Sequence, residues 1–534
     1  MCGIFAIFGQ RPSENTLQEC LKKLDPRGPE FRALVDFGKA TLGFTRLAIN
    51  GLTVNGNQPL VHSNAAVVCN GEIYNYKELA ERWSINLPEG CSDCQVLPTL
   101  FSVLGPTEVC RMLDGVFAIA LIDSAKQTIT LARDPYGVRP LFIGIGDGFT
   151  AFASEIKALT DICKTVKPFT PGSWSSYDLN TCAIIESHIY HEVPWIKNPL
   201  CLDIYASKVM LKKAFEIAIE KRCMSDRPIG ALLSGGLDSS SVCAFIAKIL
   251  AKSGKQLNTF SIGMPGSTDL VYAKKVAEHI NSIHHEILLT KEDFFSAIKH
   301  VIRDTETYDI TSVRASVGNW LLGKYIKENT EIKVVFNGDG SDEALGGYLY
   351  FFRAPNDEEF ESEIERRLKD IHLFDVLRSD RSMAAHGLEA RTPFLDKQFV
   401  AACRAIPTLY IRPTKDKQEK HILRFALDGE NILPHDVLWR KKEAFSDGVS
   451  ASETPWHRTI DDWARQQISD IDLKLSRAPI DYPNNTPKTA EALFYRAVFE
   501  TYYGTQASEI IPYFWMPKWS PETKDPSART LSLY

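Results

Sequence analysis

No run of about 18 or more apolar residues occurs in the chain, so a membrane-spanning helix is not expected. A basic leader is missing too. The opening Met1-Cys2-Gly3-Ile4-Phe5-Ala6-Ile7-Phe8-Gly9 is short, apolar and runs straight into polar sequence, so it reads as a buried first strand rather than a signal peptide. There is no excess of positive charge: the net charge is −6, which argues against a general nucleic-acid binder. No internal repeat and no long low-complexity segment is present. The 12 cysteines follow no repeating spacing, and Cys91-Ser92-Asp93-Cys94 is a lone CxxC without a second pair or matching histidines. That excludes a zinc-finger reading in favour of core and loop thiols, kept reduced in a cytoplasmic compartment. No Gly-Lys-Ser/Thr ending exists to complete a Walker A loop.

What is present is ample material for folding. At roughly 100–200 residues per domain, 534 residues predict two or three domains. With 44% hydrophobic and 24% charged residues, each can bury its own core. Up to about residue 195 the chain reads as short β-type runs, such as Ala65–Cys69, Phe117–Ile122 and Thr128–Ala132, punctuated by Pro135, Gly137, Pro140, Gly144 and Gly146. The expectation is an α+β layered sandwich domain. Pro194 and Pro199 mark His191-Glu192-Val193-Pro194-Trp195 through Asn198-Pro199 as a linker. A helix is predicted over 203–222 from Ile204, Val209, Leu211, Phe215 and Ile219. The strands Ile229–Leu233, Leu257–Ile262 and Lys333–Phe336 alternate with helical patterns, one carrying Val242, Phe245, Ile246, Ile249 and Leu250 on a single face. This predicts a parallel-sheet α/β domain over 203–520, with a Pro-, Ser-, Thr- and Lys-rich mobile tail at 521–534.

Two places carry chemistry. If Met1 is removed, Cys2 gains a free α-amine beside its thiol, which makes a self-contained nucleophile and base. Asn70-Gly71 follows a strand, and the Asn70 amide with the Gly71 N–H can form an oxyanion hole, although an isolated Asn-Gly pair is ordinarily a turn. Arg46 can pair with a substrate α-carboxylate, and Glu72 and Asp93 with its ammonium. The second place is Ser234-Gly235-Gly236-Leu237-Asp238-Ser239-Ser240, between a strand and an amphipathic helix. Small residues at a helix N-terminus make an anion cradle, and Asp238 can bind the Mg²⁺ that accompanies phosphates. Asn337-Gly338-Asp339-Gly340-Ser341-Asp342-Glu343 adds three carboxylates after another strand.

In order along the chain, Cys2-Gly3-Ile4, Arg27-Gly28-Pro29, Arg46-Leu47-Ala48-Ile49, Asn70-Gly71-Glu72-Ile73-Tyr74-Asn75 and Ser92-Asp93-Cys94 resemble the N-terminal-nucleophile (class II) glutamine amidotransferases. The remaining segments resemble the synthetase domain of glutamine-dependent asparagine synthetases. They are the 234–240 loop, Met264–Ser267, Tyr308–Ser316, 337–343, Glu389–Asp396, Ser446–Val449 and Asp525–Arg529. The resemblance covers nearly the whole chain. It implies Cys2 as nucleophile with Asn70 and Gly71 as oxyanion hole. Arg46, Leu47, Ala48, Ile49, Asn50, Glu72 and Asp93 would line the glutamine pocket. Leu232, Ile262, Asn337 and Gly338 would contact ATP, and Asp238 and Asp342 would hold Mg²⁺. Ser234, Gly235, Gly236, Ser239 and Lys442 would hold pyrophosphate, and Thr311 and Arg314 would place aspartate or its adenylate. It also implies an internal passage for ammonia, small-molecule partners only (glutamine, aspartate and ATP), and leaves a homodimer open.

Three positions depart from the family pattern: Pro26 and Glu30 flank the Arg-Gly-Pro turn where His and Asp are usual, and Asp339 stands where the adenylate-step Glu is usual. Two rivals therefore stay open from sequence alone. One is an amidotransferase for another carboxylate. The other is a catalytically silent binding relative.

Overall fold

The computed structural model describes residues 1–193, 202–451, 455–527 and 530. The last part of the expected linker, from Pro194 onward, lies outside the described residues; His191, Glu192 and Val193 form no regular element.

Two six-stranded sheets form the N-terminal part. One runs in spatial order Thr165–Pro168, Phe142–Ile145, Phe149–Ala153, Gly3–Gly9, Ala40–Arg46 and Phe31–Asp36. The other runs Ile184–Ile189, Ser173–Asp178, Thr128–Arg133, Gly115–Asp123, Ala65–Ile73 and Leu60–His62. Their faces explain why the first strand is apolar throughout. Successive side chains of a strand point to opposite faces. Ile4, Ala6 and Phe8 meet Val68, Ala118 and Ala120 of the other sheet, while Phe5 and Ile7 pack with Leu17, Leu21 and Leu24 around the helix Glu14–Lys22. Across the second sheet, Val67, Cys69 and Ile73 pack under Leu97 and Leu100 of the helix Leu97–Leu104. The result is a sandwich of two sheets with helices outside, as expected.

The C-terminal part is built on five parallel strands in the order Ile283–Leu288, Asn258–Gly263, Ile229–Leu232, Val334–Phe336 and Glu389–Arg391. The strand Ile229–Leu232, first in sequence, lies in the centre. The chain crosses to one side of it and then to the other, which opens a crevice at the carboxyl ends of the central strands, where open α/β sheets bind ligands. The helix predicted over 203–222 from its apolar pattern runs Ile204–Arg222, with Asp203 as its N-cap. Val209 departs from that pattern, pointing to solvent while Leu211, Phe215 and Ile219 are buried.

One apolar core runs between the two parts: Leu47, Ile49, Val116 and Val138 pack in the same cluster as Leu211, Phe215 and Phe394. The stretch 521–527, expected to be mobile, is docked. Asp525 ion-pairs with Arg314 (2.6 Å) and Ser527 donates to Asp447 (2.8 Å). Two buried charges, which composition cannot reveal, hold it there.

Candidate active sites

Cys2 enters the first strand with its Sγ 3.7 Å from the Leu47 carbonyl oxygen. Burial pushes its thiol up to about 11, so with Met1 in place the sulfur is protonated. Met1 is itself fully buried. Its amine donates to the Leu388 carbonyl (3.2 Å) and is pushed down to about 5 by burial. Arg27 fixes the Cys2 main chain, donating from Nε to its carbonyl oxygen at 2.9 Å.

Asn70 lies on the strand Ala65–Ile73, and both its Oδ1 and Nδ2 are buried without a partner among the described residues. A buried amide left unpaired costs free energy, so such a group marks a place where a ligand is expected. At Gly71 a Cβ would lie 2.2 Å from the Val116 carbonyl oxygen, so only glycine fits. Glu72 accepts from the Asn50 amide, and its carboxyl is pushed well above the usual range by burial and by the neighbouring Glu389 and Asp93. Asp93 accepts from the Ile73 N–H (2.6 Å) and the Ser92 hydroxyl (3.1 Å), yet burial lifts it to about 6. Leu47, Ala48 and Ile49 are buried on the loop leading to Asn50.

Arg46 donates from Nη1 to the Thr53 carbonyl (2.7 Å) and Asn57 Oδ1 (2.8 Å), and from Nη2 to the Gly51 carbonyl. Three of the five N–H groups of the guanidinium thus brace the 51–57 loop.

The second site lies in the crevice of the parallel sheet. Leu232, Ser234, Gly236, Asp238, Ser239, Ile262, Thr311, Asn337, Gly338, Asp339, Asp342 and Lys442 line one cavity there. The helix Leu237–Ala251 starts at Gly236 without a side-chain cap, which leaves its first N–H groups to an anion. Gly235 lies off the wall and shapes the loop. Its φ is +72°, and a Cβ would come within 2.5 Å of the Ala273 nitrogen. Gly338 lets the second loop touch the first, since a Cβ there would meet the Ser239 nitrogen at 2.7 Å. The Ser341 hydroxyl donates to Asp238 Oδ1 at 2.7 Å.

Sequence reasoning missed Lys420. It is buried, with Nζ 2.5 Å from Asp238 Oδ2 and 2.6 Å from Asp342 Oδ1. Lys442 joins from the other side, 2.6 Å from Asp342 Oδ2. Burial works against the charge of Asp342, but the two lysines hold its carboxyl well below the usual range. No signal in the run Lys415-Asp416-Lys417-Gln418-Glu419-Lys420 separates that last lysine from the others.

Asp339 is tied to Arg378 Nη2 (2.6 Å) and the Ser379 hydroxyl, and burial raises its carboxyl. Thr311 brings a buried Oγ1, without a partner among the described residues, to the cavity wall. Arg314 is not among the wall residues, and its guanidinium donates to Glu491 (Nε, 2.8 Å) and Asp525 (Nη1, 2.8 Å), which ties down the C-terminal segment.

Comparison with known proteins bears on both sites. Residues 1–215 match the family model of the glutamine amidotransferase domain, and 210–363 with 353–525 match that of asparagine synthase. The chain is 42% identical over 564 residues to a glutamine-hydrolyzing asparagine synthetase of Gallus gallus, covering 100% of this chain and 99% of the relative. With the same coverages it is 42% identical over 567 residues to the synthetase of that name from Mus musculus. The corresponding figure is 41% over 565 residues for the Homo sapiens protein.

Proposed function

The chain belongs to the glutamine-hydrolyzing asparagine synthetases, and from that premise we propose how its residues divide the work. The enzyme makes asparagine from aspartate, glutamine and ATP, with glutamate, AMP and pyrophosphate as the other products. In our reading residues 2–195 form the glutaminase domain and 203–520 the synthetase domain.

Removal of Met1 frees the Cys2 α-amine. That amine takes the thiol proton, which burial otherwise holds in place. The thiolate attacks the glutamine side-chain carbonyl. Asn70 Nδ2 and the Gly71 N–H stabilise the oxyanion, ammonia leaves, and water hydrolyses the thioester to glutamate. Asp93 and Glu72 pair with the substrate ammonium, and the main chain of 47–50 forms the pocket wall.

In the synthetase domain the uncapped helix start and the 234–239 loop hold the phosphates. Asp238 and Asp342 are a donor set that suits Mg²⁺: two carboxylates, with the remaining positions left to water and phosphate. When bound, the metal would neutralise the charge of the departing pyrophosphate. Lys420 and Lys442 already counter those carboxylates, and in our reading they share the phosphates with the metal. The aspartate β-carboxylate attacks the α-phosphorus, giving β-aspartyl-AMP and pyrophosphate. Activation is required because a carboxylate is a poor acyl electrophile and AMP is a good leaving group. Ammonia then displaces AMP. Thr311 Oγ1 and Asp339 are the polar groups we place beside the acyl centre.

The observation that most supports this division is Asn70, whose buried amide has no partner among the described residues although both its atoms could bond. Cys2→Ala tests it. Glutamine use should vanish while ammonia-dependent asparagine synthesis persists, and loss of both would refute two separate sites.

A further inference from the structure

The wall of the glutamine pocket is gripped from the other domain. The turn that enters the central strand Ile229–Leu232 carries Asp226 and Arg227, and both bond to the main chain of residues 48–51. The Asp226 N–H donates to the Ile49 carbonyl oxygen (3.0 Å), and Asp226 Oδ2 accepts from the Gly51 N–H (2.8 Å). Arg227 Nε donates to the Ala48 carbonyl oxygen at 2.9 Å. Its Nη2 reaches Glu30 Oε1 at 2.8 Å, while Glu30 Oε2 accepts from the Ala48 N–H at 2.7 Å. A carboxylate and a guanidinium thus close a ring around the Ala48 peptide, and Asp226 holds the next turn of chain.

We infer that Asp226 and Arg227 are positioning residues for glutamine hydrolysis, acting across the domain boundary by fixing the 48–51 main chain that forms the pocket wall. Three considerations carry this. The contacts are to backbone groups, so they set the path of the loop rather than its side chains. Glu30, which departs from the usual Asp, is the residue that closes the ring, and its length lets one carboxylate span from the Ala48 N–H to Arg227. The turn itself is held from within: the Arg227 N–H donates to Ser225 Oγ (3.0 Å), and Arg391 Nη1 donates to the Met224 carbonyl (2.5 Å). The pocket wall is therefore anchored to a fixed point of the parallel sheet. Pairs of this kind, partly exposed, add little to global stability. Their weight falls on geometry, where a displacement of about 1 Å can cost about 10²-fold.

The inference rests on the reading of residues 47–50 as the glutamine wall, so the test carries a control for that reading. Arg227→Ala, Asp226→Ala and Asn50→Ala are made in the full chain and assayed for glutaminase activity, ammonia-dependent synthesis and thermal unfolding. Arg227→Ala and Asp226→Ala should raise the glutamine KM about tenfold, with kcat within about threefold and ammonia-dependent synthesis within about twofold of wild type. Amide hydrogen exchange should accelerate at 48–51 and not in the strand Ala40–Arg46. Arg227→Lys, which keeps the charge and a donor, should recover part of the KM. A raised KM in Asn50→Ala with none in the other two would overturn the inference and leave the pocket reading intact. No change in any of the three would overturn both. A parallel loss of both activities with a lowered unfolding temperature would make the clamp a general structural contact and also overturn the inference.

Discussion

Arg27 donates from Nε to the carbonyl oxygen of Cys2 at 2.9 Å. The same guanidinium donates from Nη1 to Glu155 (2.7 Å) and to Asp380 (2.8 Å), so the Cys2 main chain is tied to a buried ion cluster that spans both domains. Glu155 and Asp380 are only 3% and 2% exposed, so neither can turn to water if the arginine is lost.

Arg27→Met should therefore be strongly destabilising. Breaking a buried pair by removing one partner costs about 3–5 kcal/mol. Burial works against the Glu155 charge, but Lys157, Arg27 and Arg381 hold its carboxyl down to about 2. Its stabilising contribution is thus fully present above the ordinary value of 4.5 and is lost as pH falls toward 2. Urea unfolding of both proteins from neutral pH down through 4.5 toward 2 should show the variant weaker throughout and flatter at the acid end.

Asn70→Ala should lower the glutaminase kcat by about 10²–10³-fold, the usual cost of one oxyanion donor. Ammonia-dependent synthesis should be preserved. The check is initial-rate glutamate release against asparagine formed from ammonium salts.

The pH dependence of glutamine use should carry an acid limb from Asp93. Burial raises this carboxyl to about 6, and it must be ionised to pair with the substrate ammonium. Above that pH the pair forms. Below it, kcat/KM for glutamine should fall about tenfold per pH unit. Asp93→Asn should lower kcat/KM and remove the limb.

Asp342→Asn should raise the Mg²⁺ concentration needed for half-maximal pyrophosphate formation by at least about tenfold. It removes one of the two carboxylates and leaves Lys420 and Lys442 facing Asp238 alone. Glutamine hydrolysis without ATP should be unaffected. Titration of Mg²⁺ at fixed ATP and aspartate separates the two.

Local chemistry made much of this legible in the sequence. Cys2, Asn70 and the 234–240 loop could be singled out because each proposed role calls for particular residue types next to one another: a thiol beside an amine, an amide beside a glycine, small residues at a helix start. The parallel sheet was legible because its strands alternate with helical patterns along the chain. What the sequence hid is long-range. Arg314 carries a family motif, but its partners Glu491 and Asp525 lie 177 and 211 residues away, and those pairings take it off the cavity wall. The bonds of Arg46 to the 51–57 loop are likewise set by the fold and not by its motif. Lys420 resembles its neighbouring lysines until the fold sets it between Asp238 and Asp342. Val209 fits an apolar pattern and faces water, because a helical face is decided by what packs against it.

The most direct test of coupled chemistry on this chain follows the nitrogen atom. Purified enzyme is incubated with glutamine labelled with ¹⁵N in the side-chain amide, unlabelled aspartate and MgATP, and the products are resolved by mass spectrometry. The account predicts labelled asparagine accompanied by pyrophosphate and AMP, with no labelled asparagine from the Cys2→Ala protein. Labelled asparagine from that variant, or glutamate release with no amidation of aspartate by the wild type, would contradict it.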